Sequence, residues 1–300
     1  MAMSKIGFYG LGRMGYGMVS RLLSRKVAVV AFNRGQDKVK QISRQGAIPV
    51  ASLEELVGKL GQKKIIWLML PSGKPTDAAI KKLLPLLRRG DIIIDGANDF
   101  YQNAEMHAKL CAKKGVYFFD VGVSGGVWGL KNGYTLMVGG PKSQFKFIEP
   151  FCQALAPKGG YGYFGETGSG HFVKSVHNIV EYVYLQGLAE GVEALSRFKK
   201  PIDLRQVTKV WQPASVVHSW LLGLTTKALE RPDFKKISPK IDSVTIDELR
   251  KTVAAVKAYA PAFSAAVAVR RDQTKKFALG KRTIAAIRRE FGGHEVRKGR

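Results

Sequence analysis

From Lys5 to Phe164 the chain alternates short runs of β-branched and aromatic residues with longer stretches whose apolar positions recur at helical spacing. The runs read as strands at Lys5 to Tyr9, Val27 to Phe32, Lys64 to Leu70, Asp91 to Ile94, Val116 to Val121, Thr135 to Val138 and Tyr161 to Phe164. This alternation predicts an α/β fold with a Rossmann-like doubly wound sheet. Turn residues at Pro71-Ser72-Gly73, Asp95-Gly96 and Gly139-Gly140-Pro141 follow strand ends directly, where such sheets bind ligands. After Gly168 the strand runs stop and helical periodicity continues to the end, broken near Pro201, Pro213, Pro232, Pro239 and Pro261. We therefore expect a dinucleotide-binding domain over residues 1–165 and an all-helical substrate and oligomerisation domain over 166–300. A long helix from about Ser169 to Phe198 would join them.

A length of 300 residues suits about two domains, and an apolar share of 45% is that of a globular protein. The longest apolar runs are strand-length, far short of the roughly 20 residues of a membrane helix. The start, Met-Ala-Met-Ser-Lys, leads into a strand pattern without the apolar core of a secretory signal. Cys111 and Cys152 form no CxxC or Cys/His cluster, so neither a disulfide framework nor a metal site is expected. These features predict a cytoplasmic chain with no membrane partner.

The formal net charge of +26 raises nucleic acid as a partner. The basic residues, however, are dispersed as singles and pairs such as Lys63-Lys64, Lys81-Lys82, Arg88-Arg89 and Lys113-Lys114, with no aromatic-basic motif. A solvated basic surface is the simpler reading. Residues 251–300 carry 13 basic against 3 acidic side chains, so any phosphate handling beyond the cofactor is expected in this tail.

Residues 6–34 carry the most informative motif. Gly10-Leu11-Gly12-Arg13-Met14-Gly15 follows the first strand, opens a helix read as Met14 to Leu23, and leads into the second strand. In that context GxGxxG marks a dinucleotide site: its glycines allow the turn, the approach to pyrophosphate and the helix–strand contact. Helix N-terminal amides then hold the anion. NAD enzymes usually end the second strand with a carboxylate for the ribose hydroxyls. Here Asn33 and Arg34 stand there, and a guanidinium fork suits a 2′-phosphate. NADP is therefore expected, with NAD as the alternative. Cofactor contacts are expected from residues 10–15, Asn33 and Arg34, and from Leu70, Ser72 and Asn98 in later loops.

On the joining helix, Lys174, His177, Asn178, Glu181 and Tyr182 fall on one face, while Val173, Val176, Ile179, Val180 and Val183 form a second that could pack. A solvated stripe would favour mixed Lys and Glu, so His, Asn and Tyr point to function instead. Small residues in Asp95-Gly96-Ala97-Asn98 and Val123-Ser124-Gly125-Gly126 allow backbone amides to approach a substrate, although such loops are also ordinary turns.

Together these segments resemble the 6-phosphogluconate dehydrogenases in their short bacterial form, within the β-hydroxyacid dehydrogenase superfamily. The resemblance runs through residues 10–15, 95–98, 123–129, 168–174, 177–178, 181–182 and Phe291-Gly292-Gly293-His294. It implies oxidative decarboxylation of 6-phosphogluconate to ribulose 5-phosphate. In that reaction Lys174 would take the 3-hydroxyl proton as hydride passes to NADP, and Glu181 would protonate the enediol. The base must be neutral, and burial beside a positive nicotinamide acts in that direction. Asn98, Ser124, Gly125, Gly126, His177 and Asn178 would hold the substrate and Tyr182 its phosphate. Arg288 and His294 match tail residues that reach a neighbouring subunit's site, which implies a homo-oligomer, a dimer or tetramer. An Asn-Arg pair at 33–34 goes with NADP in this family, whereas many short-form members carry Asp there.

Departures occur. The family's AspGlyGlyAsnSer reads Asp95-Gly96-Ala97-Asn98-Asp99, and HisAsnGly reads His177-Asn178-Ile179. The phosphate-binding SerGlyGluGlyArgTrpThr stretch has no clean counterpart in residues 242–252, where Arg250 and Thr252 are candidates, with Arg270 as another. Two rivals stay open at this point: a β-hydroxyacid dehydrogenase of a non-phosphorylated substrate, and a catalytically retired paralogue that binds nucleic acid. Retention of Lys174 and Glu181 speaks against the second.

Overall fold

A computed structural model of the protein describes residues 5–241 and 245–297. It divides into two compact units, Met1–Ser175 and Val176–Arg300. The first is built on strands β1 (Ile6–Tyr9), β2 (Val29–Phe32), β3 (Ile48–Pro49), β4 (Ile65–Leu68), β5 (Ile92–Asp95), β6 (Tyr117–Ser124), β7 (Thr135–Gly139) and β8 (Tyr161–Gly165). They form one sheet in the order β3-β2-β1-β4-β5-β6-β7-β8. All neighbours are parallel except β6 and β7, which pair antiparallel from Asp120↔Gly139 to Ser124↔Thr135. The order reverses between β1 and β4, which is the switch point where such sheets bind ligands.

The helices of this unit are α1 (Arg13–Ser24), α2 (Gln36–Ser43), α3 (Leu53–Gly58), α4 (Lys74–Leu83), α5 (Tyr101–Ala112), α6 (Gly129–Asn132) and α7 (Lys142–Leu155). They cover both sheet faces, so the central strands are buried on both sides and read as unbroken apolar runs, Ile65-Ile66-Trp67-Leu68 and Ile92-Ile93-Ile94. One core packs Met18, Leu22, Ile148 and Phe151 against one face. The other packs Leu56, Ile80, Leu83 and Cys111 against the opposite face.

Several strands are shorter than the apolar pattern suggests: the first begins at Ile6, the second at Val29, and β4 ends at Leu68. Pairing rather than hydrophobicity sets these ends. β3 pairs only at Ile48 and Pro49, a stretch too short to show periodicity.

Helix α8 (Ser169–Ser196) runs across the boundary into the second unit. Its first turn is fixed to the sheet by Asp120 of β6, which accepts from the Gly168 amide at 2.8 Å and the His171 amide at 2.7 Å. Those amides have no intrahelical acceptor, so the carboxylate supplies what the helix end lacks. Gly170 permits the contact, because a Cβ there would meet the Asp120 and Met137 carbonyls.

After Gly165 no strand occurs among the described residues. The second unit holds α9 (Leu204–Trp211), α10 (Trp220–Glu230), α11 (Ile246–Ala255), α12 (Pro261–Arg271) and α13 (Ala278–Gly292). One cluster packs Leu185 and Ala189 of α8 with Leu224, Ala228, Ile284 and Ile287, and a second packs Tyr182 with Leu249, Phe263 and Val267. No helix of the described residues is long and apolar enough to cross a membrane.

Asp120→Ala leaves two buried amides without acceptors and should lower stability by about 2–4 kcal/mol. Urea unfolding followed by tryptophan fluorescence checks this, and Asp120→Asn, which keeps one acceptor, should lose less.

Candidate active site

The glycine loop lies at the switch point, between the end of β1 and α1. Gly10 adopts φ +107°, and a Cβ there would meet the Met69 carbonyl. At Gly15 a Cβ would strike the Gly10 carbonyl, whereas at Gly12 it would enter open space. The three glycines thus divide into a turn, a bare exposed backbone and a helix contact. Helix α1 has Gly12 as its N-cap, no side-chain cap and no acidic residue in its first turn. Its amides are left for an anion, so these residues fit a dinucleotide pyrophosphate. Arg13 is exposed and Met14 half-buried on the first turn, while Leu11 is buried beneath the loop.

Asn33 braces this loop. Its Oδ1 accepts from the Leu11 amide at 2.9 Å, and its Nδ2 donates to the Gly35 carbonyl at 2.9 Å. Arg34 is exposed beside it. Leu70 and Ser72 follow β4 and are half-buried, and Thr76 Oγ1 holds their loop through the Pro71 carbonyl at 2.8 Å.

The next two loops also follow strand ends. Asp95 closes β5 and its Oδ1 accepts from the Ala97 amide at 2.9 Å, which shapes the backbone just before Asn98. Burial pushes this carboxyl above the usual range, with His171 opposing. Asp99 accepts from the Phe100 amide and from Asn103 Nδ2, at 2.8 and 2.9 Å, and so caps the approach to α5. Ser124 ends β6, and Gly125 and Gly126 follow with φ of 133° and 54°.

Lys174 sits on the second turn of α8 and is buried. It lies against β6 at Gly122, where a Cβ would collide with the Lys174 Cβ. Three residues earlier the His171 ring donates from Nε2 to the Asp95 carbonyl at 3.2 Å, a second tie between α8 and the loop that carries Asn98.

In the second unit α8 presents His177, Asn178, Glu181 and Tyr182. His177 Nδ1 lies 3.1 Å from Asn178 Oδ1. Tyr182 is buried against Phe263, and its hydroxyl is 3.4 Å from Thr245 Oγ1. The Arg270 guanidinium carbon lies over the Tyr182 ring, 3.3 Å from its centroid. Arg270 is 4% exposed, and none of its three guanidinium nitrogens has a hydrogen-bond acceptor among the described residues. Burial pushes it down to about 10, with Tyr182 opposing and Arg288 adding to the shift. Even so it is cationic at neutral pH.

The expected packing face of α8 is used only in part, with Ile179 and Val183 packed on the cluster around Tyr182. Val176 and Val180 are 40% and 60% exposed, whereas Lys174, Asn178 and Tyr182 are buried. The reason is the neighbours: Gly122 receives Lys174, while Phe263 and Arg270 receive Tyr182.

Arg250 and Thr252 stand two residues apart on α11 and so point to different sides. Arg250 is exposed. Thr252 is buried, and its hydroxyl donates to the Glu248 carbonyl at 3.0 Å. Residues 242–244 of the expected phosphate stretch lie outside the described residues. Arg288 is near enough for its charge to act on Arg270 of the same chain. His294 packs beside Phe291, its ring over Gly292.

Asp120, Gly122, His171 and Thr245 were not singled out from sequence. The first three come from three-dimensional support of Lys174 and Asn98, for which spacing gives no signal. Among the described residues no group of three or more His, Cys, Asp or Glu side chains could hold a metal ion.

Comparison with known proteins agrees with this geometry. Residues 5–165 match the family model of the NAD binding domain of 6-phosphogluconate dehydrogenase, and residues 170–270 match that of its C-terminal domain. The chain is similar to YqeC of Bacillus subtilis, 34% identical over 298 residues that cover 98% of this chain and 99% of that protein. It is 40% identical over 225 residues, 75% of this chain and 74% of the other, to an NAD(+)-dependent, decarboxylating 6-phosphogluconate dehydrogenase of Haloferax volcanii. Among solved structures, 6-phosphogluconate dehydrogenase of Plasmodium falciparum, described with its cofactor NADP+ and its substrate 6-phosphogluconate, matches at a TM-score of 0.80 and 26% identity. That match covers 89% of this chain and 61% of that longer one. The chain therefore belongs to the 6-phosphogluconate dehydrogenase family and is an oxidoreductase with a nicotinamide dinucleotide cofactor.

Proposed function

We propose that the protein oxidises and decarboxylates 6-phosphogluconate to ribulose 5-phosphate with NADP. The observation that carries this reading is Arg270. A guanidinium buried on a tyrosine ring with no acceptor for its nitrogens is costly, and a phosphate dianion supplies both the charge and the acceptors. A substrate lacking phosphate would leave Arg270 uncompensated, so the phosphorylated sugar acid is favoured over a simple β-hydroxyacid. Arg288, whose charge bears on Arg270, adds a second cation to that end.

The dinucleotide, when bound, accepts the hydride from C3. Lys174 takes the proton of the 3-hydroxyl. An amine does this only when neutral, and removal from water disfavours its charged form. The resulting β-keto acid loses carbon dioxide, and Lys174 returns its proton to the oxygen of the enediol. Glu181, two turns further along α8, protonates the enediol carbon while Lys174 takes the hydroxyl proton back, which leaves the ketone. Asn98, Ser124, Gly125, Gly126, His177 and Asn178 orient the sugar acid through donors and bare backbone. Arg34 receives the 2′-phosphate of NADP. Of the tail residues, Arg288 stays with Arg270 of its own chain, and His294 serves a homo-oligomer in which one copy completes the site of another. A soluble, cytoplasmic enzyme fits a substrate of this polarity.

Three measurements test the proposal. Lys174→Met should lower kcat by at least about a hundredfold while NADP affinity, read by calorimetry, is unchanged; substantial remaining activity removes Lys174 as the base. Arg270→Met should raise KM for 6-phosphogluconate by about 10–100-fold and leave KM for NADP unaffected. An equal KM would point to the non-phosphorylated substrate class. Steady-state kcat/KM should be higher with NADP than with NAD, and Arg34→Ala should narrow the gap; parity or preference for NAD in the unaltered protein would reverse the cofactor assignment.

A further inference from the structure

The edge of the sheet opposite the glycine loop carries a cavity. Lys5 immediately precedes β1, and the turn 59–64 leads from α3 into β4, which pairs parallel with β1. Both therefore lie at the N-terminal strand edge, separated from Gly10 by roughly 15 Å of strand. With Phe147 of α7 they enclose a volume of about 430 Å³. Its floor is apolar, made of Leu60, Ile65 and Phe147, and its rim holds Lys5, Lys59 and Lys63.

The three ammonium groups are the unusual part. Lys5 Nζ donates to the Lys59 carbonyl at 3.0 Å. Lys63 Nζ donates to Gln144 Oε1 at 3.1 Å and lies 3.7 Å from the centroid of the Phe147 ring. Every one of these partners is neutral. No carboxylate lines the cavity, and among the described residues none forms an ion pair with these lysines. Two of the cations are thus held in place while their charge stays uncompensated, and like charges gathered around one cavity favour an anion between them.

The volume falls within the range of small-molecule sites. A bare inorganic anion would use the rim and leave the apolar floor wet. A ligand with both a phosphate and a flat ring would use both.

We propose that this cavity is a second ligand site, separate from the dinucleotide site, which takes a mononucleotide-class organic phosphate. The phosphate lies among Lys5, Lys59 and Lys63, and the ring lies on Leu60, Ile65 and Phe147. The site does not depend on the reaction proposed above, because none of its residues belongs to the cofactor loop or to α8.

The test is calorimetric titration of AMP into the full chain already saturated with NADP, so that the dinucleotide site is filled. One further binding event is expected. Lys59→Glu, at an exposed position that should not disturb folding, and the double variant Lys5→Gln/Lys63→Gln should each weaken it at least about tenfold. The turnover rate with NADP should be unchanged in both. Absence of AMP binding to the NADP-loaded protein, or binding that both variants leave intact, overturns the proposal. Pyrophosphate binding as tightly as AMP overturns the assigned ligand class.

Discussion

The attachment of the long helix α8 to the sheet is the contact on which the rest depends. One carboxylate, Asp120, takes the two amides at the start of that helix, and the contact is close because Gly122, Gly139 and Gly170 carry no side chains. A Cβ at Gly139 would meet the Gly170 amide, and one at Gly122 would meet Lys174. The position of the proposed base is therefore set by absent methyl groups and one buried acid. The loop with Asn98 is tied to the same helix through His171 and the Asp95 carbonyl.

A second constraint is the cost of buried polar groups. Lys174, Asn178 and Tyr182 lie on the face of α8 that is removed from water, while Val176 and Val180 of the same helix are exposed. Folding for stability alone would invert this pattern. This burial suits the proposed site, in which groups that exchange protons or grip a charged substrate would act more strongly away from water. Arg270 on the Tyr182 ring follows the same logic.

Much of this was legible in the sequence, and the parts that were not share a cause. The central strands declared themselves because helices cover both faces and leave unbroken apolar runs. The glycine motif was readable because each glycine answers a local backbone demand. Strand β3 was missed because two residues, Ile48 and Pro49, cannot display a period. The two stripes of α8 were readable, but which members of each are buried was not, because helical spacing gives direction and not neighbours. Asp120 and Gly122 acquire meaning only when β6 and α8 touch, and they lie about fifty residues apart in the chain. On α11 the sequence could not show that Arg250 is exposed while the Thr252 hydroxyl is bonded back to the Glu248 carbonyl.

The brace formed by Asn33 has an evolutionary consequence. Its oxygen, not its nitrogen, takes the Leu11 amide, and an aspartate side chain has an oxygen at the same place. Exchange of one amide nitrogen for oxygen would keep the loop folded, give up the bond to the Gly35 carbonyl, and put a negative charge at the end of the second strand, where NAD enzymes use one. On the proposed cofactor reading, a lineage could then exchange one dinucleotide for the other through a single substitution at position 33, without passing through an ancestor that binds neither.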